Sequence, residues 1–222
     1  MQIFRPDFDR RIDLPGAGPC PRPVDIDQRV TGFADLVSLR VYSFARGAVI
    51  DGEAEDDELL IIVMRGAIKL AVEQGGTRVG AFNLRHHQGK RVVYMPPHSG
   101  YHLTAMSDAD VAYARVKPSE TPLPEVRAFG PADDGIEVVG HATGMVATLR
   151  ILSSTDASAP NGFAGILSER LVHVRSEDGG ALDVAGGELT DWDSASLARD
   201  ETARLHVTRG NVECLTISAT HG

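Results

Sequence analysis

ELLIIVMRGAIKLAVEQGG, Glu58 to Gly76, narrows the possible folds more than any other stretch of the chain. Two apolar runs are broken at Arg65-Gly66 and closed by Gly75-Gly76. Each has strand length and is bounded by turn residues, so both read as strands. RVGAFNL, RVVYMPP, YHLTAMSD and DVAYARVKP continue the series, and LVSLRVYSFARG precedes it. In that preceding run Val37, Leu39 and Val41 alternate with Ser38, Arg40 and Tyr42, which is strand period. Short strands at intervals of roughly ten residues, with turn signals between, argue for an all-β sandwich or barrel.

A chain of 222 residues has room for one or two domains. Its hydrophobic content of 42% supports a core, and 23 Gly with 12 Pro favour turns over long helices. The formal net charge is −9, with no offsetting cluster of Lys or Arg. Nucleic acid and anionic membrane surfaces are therefore poor partners, because both need a basic face. Cys20 and Cys214 stand far apart in an acidic chain and read as free thiols of a reducing cytoplasm. MQIFRPDFDRRIDLPG has no apolar run of the signal-peptide kind, and no stretch approaches membrane-span length.

Composition divides the chain. Residues 1–30 are rich in Pro, Asp and Arg and read as an extended arm, one that could be exchanged between the subunits of a homodimer. Residues 31–118 carry the first strand series. SETPLPEVRAFGPADDG, residues 119–135, is the linker. Residues 136–222 carry a second series: IEVVGHATGMVATLRILSS, ERLVHVRSEDGG, ARLHVTRG and VECLTISA. An offset of 104 lays Glu73-Gln74-Gly75-Gly76 over Glu177-Asp178-Gly179-Gly180, and His102-Leu103-Thr104 over His206-Val207-Thr208. It also lays Val111 over Leu215 and Tyr113 over Ile217, which reads as a duplicated domain.

VVYMPPHSGYHLTA, Val92 to Ala105, splits a strand with Pro96-Pro97 and resumes at once. Proline cannot donate to a ladder, so the first strand ends there, His98-Ser99-Gly100 turns, and a second begins. A strand, P-x-x-G-x-H and a strand resemble the second conserved motif of the cupin fold, which gives His102 a ligand position at a barrel mouth. The first cupin motif, usually Gly, five residues, then H-x-H, an acid and a later Gly, reads here Gly47, Glu53, Glu55, Glu58 and Gly66. The expected fold is all-β, two tandem cupin-like jelly-roll barrels with the second reduced. Glu53, Glu55 and Glu58 with His102 would suit one divalent metal in the first barrel: Mn or Fe, with Ni or Zn as other candidates. Alternation sets Glu53 and Glu55 on one face and Glu58 on the other, and EAEDDE is equally a solvated acidic loop.

From Glu58 to Arg150 the chain resembles the bacterial 5-deoxy-glucuronate isomerase family of inositol catabolism and the related uronate isomerases. ELLIIVMRGAIKLAV, YMPPHSGYHLTAMSDADVAYARVKP and VRAFGPADDGIEVVG carry the resemblance. It implies a bicupin whose metal sits in the second barrel, on an H-x-H pair, an acid and a later His. The chain departs from that pattern: residues 153–170 contain no His, and their only acids are Asp156 and Glu169. His206 takes the last ligand position by the repeat offset, and His173 is unpaired, so the second-barrel metal ligands are not carried over.

Three functions follow. The first is a cupin binding a small carbohydrate-type or anionic metabolite at the first barrel mouth, through His98, Tyr101, Tyr94 and Arg115. The second is an aldose–ketose isomerase of a deoxy-uronate, with His102 and Glu58 catalytic and His102, Glu53 and Glu55 on a metal. The third is a structural or regulatory dimer. His86-His87 and His141 read as exposed loops, and Trp192 as a cover on one end of the second barrel. No nucleophile elbow, phosphate loop or dinucleotide fingerprint occurs.

Overall fold

In the computed structural model of the chain, the described residues are 1–86, 89–118, 122–130, 136–138, 145–153, 168–199, 201 and 204–219. They form antiparallel strands and one short helix, Gln28–Thr31. None of their helices is long and apolar enough to cross a membrane.

Two similar halves are built in tandem. In the first, a six-stranded sheet runs Arg127–Phe129, Val92–Met95, Glu58–Arg65, Ala109–Val116, Leu36–Phe44, Val24–Asp27. It faces a four-stranded sheet of Val49–Glu53, Ser99–Ala105, Ala67–Gln74 and Thr77–Arg85. In the second, Gln2–Phe4, Ser194–Leu197, Glu169–Arg175, Asn211–Ala219, Met145–Ser153 and Ile136–Val138 follow in the matching order. Among the described residues its smaller sheet has three strands, Gly187–Leu189, Ala181–Val184 and Leu205–Arg209.

The two six-stranded sheets lie back to back. Glu58–Arg65 shows why its sequence lacks alternation. Leu59, Ile61 and Val63 fill the first half, while Leu60, Ile62 and Met64 join Leu171, Leu215 and Ile217 in the seam between halves. Both faces are dry, so both must be apolar. The second half has its own core of Val172, Val174, Leu182, Val184, Leu197 and Cys214. Gly66 ends the central strand at φ 78°, where a Cβ would lie 2.1 Å from the Asp108 carbonyl. The Pro96-Pro97 break is the corner at which the chain leaves one sheet for the other, and His98 turns it at φ 60° while donating its N–H to Glu55 O.

Several sequence expectations need correction. Residues 1–27 are used within the chain rather than held free as an arm. Gln2–Phe4 pairs with Ser194–Leu197, Arg11–Leu14 pairs with Gly18–Pro21, and Val24–Asp27 is an edge strand of the first half. Arg127–Phe129, inside the supposed linker, pairs with Val92–Met95. The offset of 104 fits His102 and His206, whose side chains both face outward with Leu103 and Val207 behind them. It fails for Val111 and Tyr113, which point into the first half, whereas Leu215 and Ile217 point into the seam. A slip of one residue reverses the face of every side chain. Glu73-Gln74-Gly75-Gly76 turns a hairpin, whereas Gly179-Gly180 precedes a strand. Trp192 sits against the seam, under the Arg175 guanidinium at 3.9 Å and edge-on to His173. His86 is held by Glu213 at 3.1 Å, while His87 and His141 lie outside the described residues. Cys20 and Cys214 are free and buried, in separate cores.

Candidate binding cavity at the mouth of the first half

Along Leu36–Phe44, Leu39 and Val41 belong to the seam, so Ser38, Arg40, Tyr42 and Phe44 point into the first half. Tyr113 and Arg115 enter from Ala109–Val116, and Tyr101 from Ser99–Ala105. These side chains, with Ile50, Asp51 and Leu14 of the Arg11–Leu14 strand, enclose a cavity of about 90 Å³. The Arg11–Pro21 hairpin covers it, with Ile12, Leu14 and Cys20 packed on the first core.

The aromatic wall is ordered. Tyr42 meets Tyr113 edge-on with ring centroids 5.3 Å apart, and Tyr101 tilts against Tyr113 at 6.0 Å. Tyr101 reaches inward because residue 52 is glycine: a Cβ there would lie 2.4 Å from the Tyr101 hydroxyl. Burial pushes the Tyr101 hydroxyl up to about 12 and the Tyr113 hydroxyl well above its usual value. Both stay protonated near neutrality and act as neutral donors. The Tyr101 hydroxyl perturbs Tyr113, yet Tyr113 Oη has no partner in hydrogen-bonding geometry. Ser99 Oγ, fully buried on the inward face of its strand, is also unpartnered.

Arginines paired with carboxylates ring the mouth. Arg115 donates to Ala54 O at 2.5 Å and to Glu53 O at 2.6 Å, and lies 3.5 Å from Asp57. It therefore ties down the acidic loop while its guanidinium faces the cavity. Arg40 and Arg22 share Asp25, at 3.2 and 2.8 Å, and Arg22 donates to the Tyr42 hydroxyl at 3.4 Å. Asp51 is the single carboxylate among the described lining residues.

Of the residues singled out from sequence, the structure brings Tyr101 and Arg115 together here. His102 lies on the outer face of its sheet, its Nδ1 2.7 Å from Asp51, because the inward positions of that strand are Ser99, Tyr101 and Leu103. Glu53 shares that outward, exposed face, and Glu55 sits exposed in the loop at φ 57°. Glu58 and Tyr94 point to the opposite side of the central sheet, toward the seam; Tyr94 donates to Leu123 O at 3.4 Å. His98 is exposed beside Asp56. Among the described residues no three His, Cys, Asp or Glu side chains are grouped to hold a metal ion. His102, Glu53, Glu55 and Glu58 therefore do not fit a shared metal in this arrangement. Sequence reasoning missed Ser38, Arg40, Tyr42 and Tyr113. The signal for the first three was present in the alternation of LVSLRVYSF, whose more polar face is the one that turns inward.

Residues 21–154 match the KduI/IolB family. Curated protein sequences give no match. Among solved structures, an IolB-like protein from Salmonella typhimurium aligns with 89% of this chain and 88% of its own, at 15% identity and TM-score 0.58. The bacterial pirin YhhW from Escherichia coli, solved with nickel(II), aligns over 100% of both chains at 13% identity and TM-score 0.69. Streptomyces albus HEPD, solved with 2-hydroxyethylphosphonate and Fe(II), aligns with 100% of this chain and 76% of its own, at 11% identity and TM-score 0.70. At these identities the likeness shows a shared cupin-like fold.

Proposed function

The chain belongs to the KduI/IolB family, and from that premise we propose that it is a diverged member that binds a small carboxylate-bearing metabolite at the mouth of its first half. The observation that carries this reading is the cavity itself: three tyrosines and two arginines, with the buried Tyr113 Oη approached by Tyr101 but not met in full hydrogen-bonding geometry. An unmade buried hydrogen bond costs about 1–3 kcal/mol, which a bound acceptor would offset. Arginine favours carboxylates, and neutral tyrosines add donors without opposing charge. The volume of about 90 Å³ is only about three times a water molecule's share of the liquid. It takes the acid end of a ligand with the hairpin closed, and a whole sugar acid only if Leu14 moves aside.

The isomerase alternative has family membership behind it. It needs a base and an electrophile at adjacent carbons of the substrate. The described residues do not assemble such a set in the first half: His102 faces outward, and the lining offers only Asp51, at the rim. We therefore favour binding over isomerisation.

Calorimetric titration with glucuronate, galacturonate, glycolate and malonate tests the reading. At least one acid is expected to bind saturably, and Tyr113→Phe is expected to weaken it about tenfold. Equal affinity in Tyr113→Phe would remove the site assignment.

A further inference from the structure

The second half has an inward face of the same kind, made from different residues. In Glu169–Arg175, Leu171 joins the seam and Val172 the second core, so Arg170 points inward beside Val172. Ser218 is its cross-strand partner and lies between the seam residues Ile217 and Ala219, so it points inward too. Ser168, two residues before Arg170, faces away from Glu169, whose carboxylate is taken by the N–H groups of Ala34, Asp35 and Leu36. Arg170 is 6% exposed, and Ser168 and Ser218 are 0% exposed. Arg170 Nε, Ser168 Oγ and Ser218 Oγ all lack a partner. Arg170 Nη2 donates to Glu201 O, which fixes the guanidinium, while the Glu201 carboxylate is engaged by the Met1 amino group and Ala198 N–H.

We propose that Arg170, Ser168 and Ser218 form a second binding site in this half, one that takes a small oxyanion. One guanidinium N–H and two hydroxyls supply donors and one positive charge, the complement of a carboxylate or phosphate group. Holding a guanidinium away from water lowers the Arg170 pKa, and an anion beside it would offset that cost. The family resemblance implies imidazole and carboxylate ligands for a metal in this half. Arg170, Ser168 and Ser218 supply N–H and O–H donors with one positive charge, a set that repels a cation and attracts an anion.

The two halves also differ in which strand supplies the arginine. Arg115 comes from Ala109–Val116 opposite Leu59, and Arg170 from Glu169–Arg175 opposite Ser218. The sites are thus separable by mutation. Inorganic phosphate, which is not among the acids that test the first mouth, is the probe, titrated by calorimetry into Tyr113→Phe protein and into the same protein carrying Ser168→Ala and Ser218→Ala. The expected result is saturable binding in the first and about a tenfold weaker association in the second, with melting temperature unchanged or raised. Arg170→Lys, which keeps the charge and loses the Nε donor, is expected to weaken binding by a similar factor. Failure of phosphate to bind would mean that buried water satisfies these groups and would overturn the proposal. So would an affinity indifferent to the serine substitutions. Neither result bears on the first-half reading, which Tyr113→Phe tests alone.

Discussion

The seam between the halves and the interiors of the halves bury polar groups on opposite terms. In the seam, charged groups are matched. Glu169 accepts from three backbone N–H groups of the other half at 2.6–2.9 Å. Glu213 meets Arg91 at 2.5 Å and His86 at 3.1 Å. Asp110 takes Arg65, Arg175 and Ser43 within 2.7–3.1 Å. The seam's incompletely paired Arg91 and His173 are anchored through other nitrogens. Inside the halves, by contrast, no group meets the hydroxyls of Tyr113, Ser99, Ser168 and Ser218 in full hydrogen-bonding geometry. Matched burial fixes geometry; unmatched burial costs stability and persists where something else completes it.

Breaking a seam contact should therefore cost the most. Glu169→Ala leaves three N–H groups without their acceptor and is expected to lose about 3–5 kcal/mol in urea unfolding. A loss under about 1 kcal/mol would mean that the apolar seam alone joins the halves.

Acid attacks the same contrast more gradually. Burial raises the Glu213 pKa, but hydrogen bonds from His86 and Arg91 outweigh it and hold the carboxyl down at about 2. A folded pKa below the unfolded value adds stability above the unfolded value and loses it as pH falls through the folded one. Between about pH 5 and pH 2 the protein should lose on the order of 3 kcal/mol from this group. Glu213→Gln should flatten that limb of the pH–stability curve, and an unchanged slope would refute the assignment.

A smaller effect is expected at the first mouth from Gly52→Ala. The new Cβ would lie 2.4 Å from the Tyr101 hydroxyl and 2.6 Å from its ring carbon Cζ, so the ring must move. A loss of about 1–3 kcal/mol is expected from overpacking, with weaker acid binding. Retained binding would mean that Tyr101 lines the cavity without serving it.

Much of the fold was legible because its rules are local. Glu58–Arg65 reads as a buried strand from its apolar run, Gly75-Gly76 as a hairpin, and Pro96-Pro97 as a corner between sheets. The site was less legible because facing is not local. In a single sandwich the apolar face of LVSLRVYSF would point in and its polar face out. Here Leu39 and Val41 cover the other half, and Ser38, Arg40 and Tyr42 line the cavity. The same ambiguity put His102 at a mouth that its strand gives to Tyr101. Pairing of sheets across the seam decides these directions, and no short motif encodes it.

The smallest stability change should be the most informative. Tyr113→Phe removes one oxygen from a side chain that is 7% exposed, without a cavity in the packing around the ring. Because no group meets that oxygen in full hydrogen-bonding geometry, its loss removes a desolvation cost and at most a weak contact with Tyr101. The free protein should then be unchanged or more stable by up to about 1 kcal/mol. Its acid affinity should fall at the same time, so stability and binding move in opposite directions. That opposition separates the interiors from the seam, where every substitution of a matched group should lower stability whatever the ligand. A loss above about 1 kcal/mol in Tyr113→Phe would show that the hydroxyl already has a protein or water partner. The first mouth would then obey the seam's rule, and the contrast between the two regions would fail at its best-defined point.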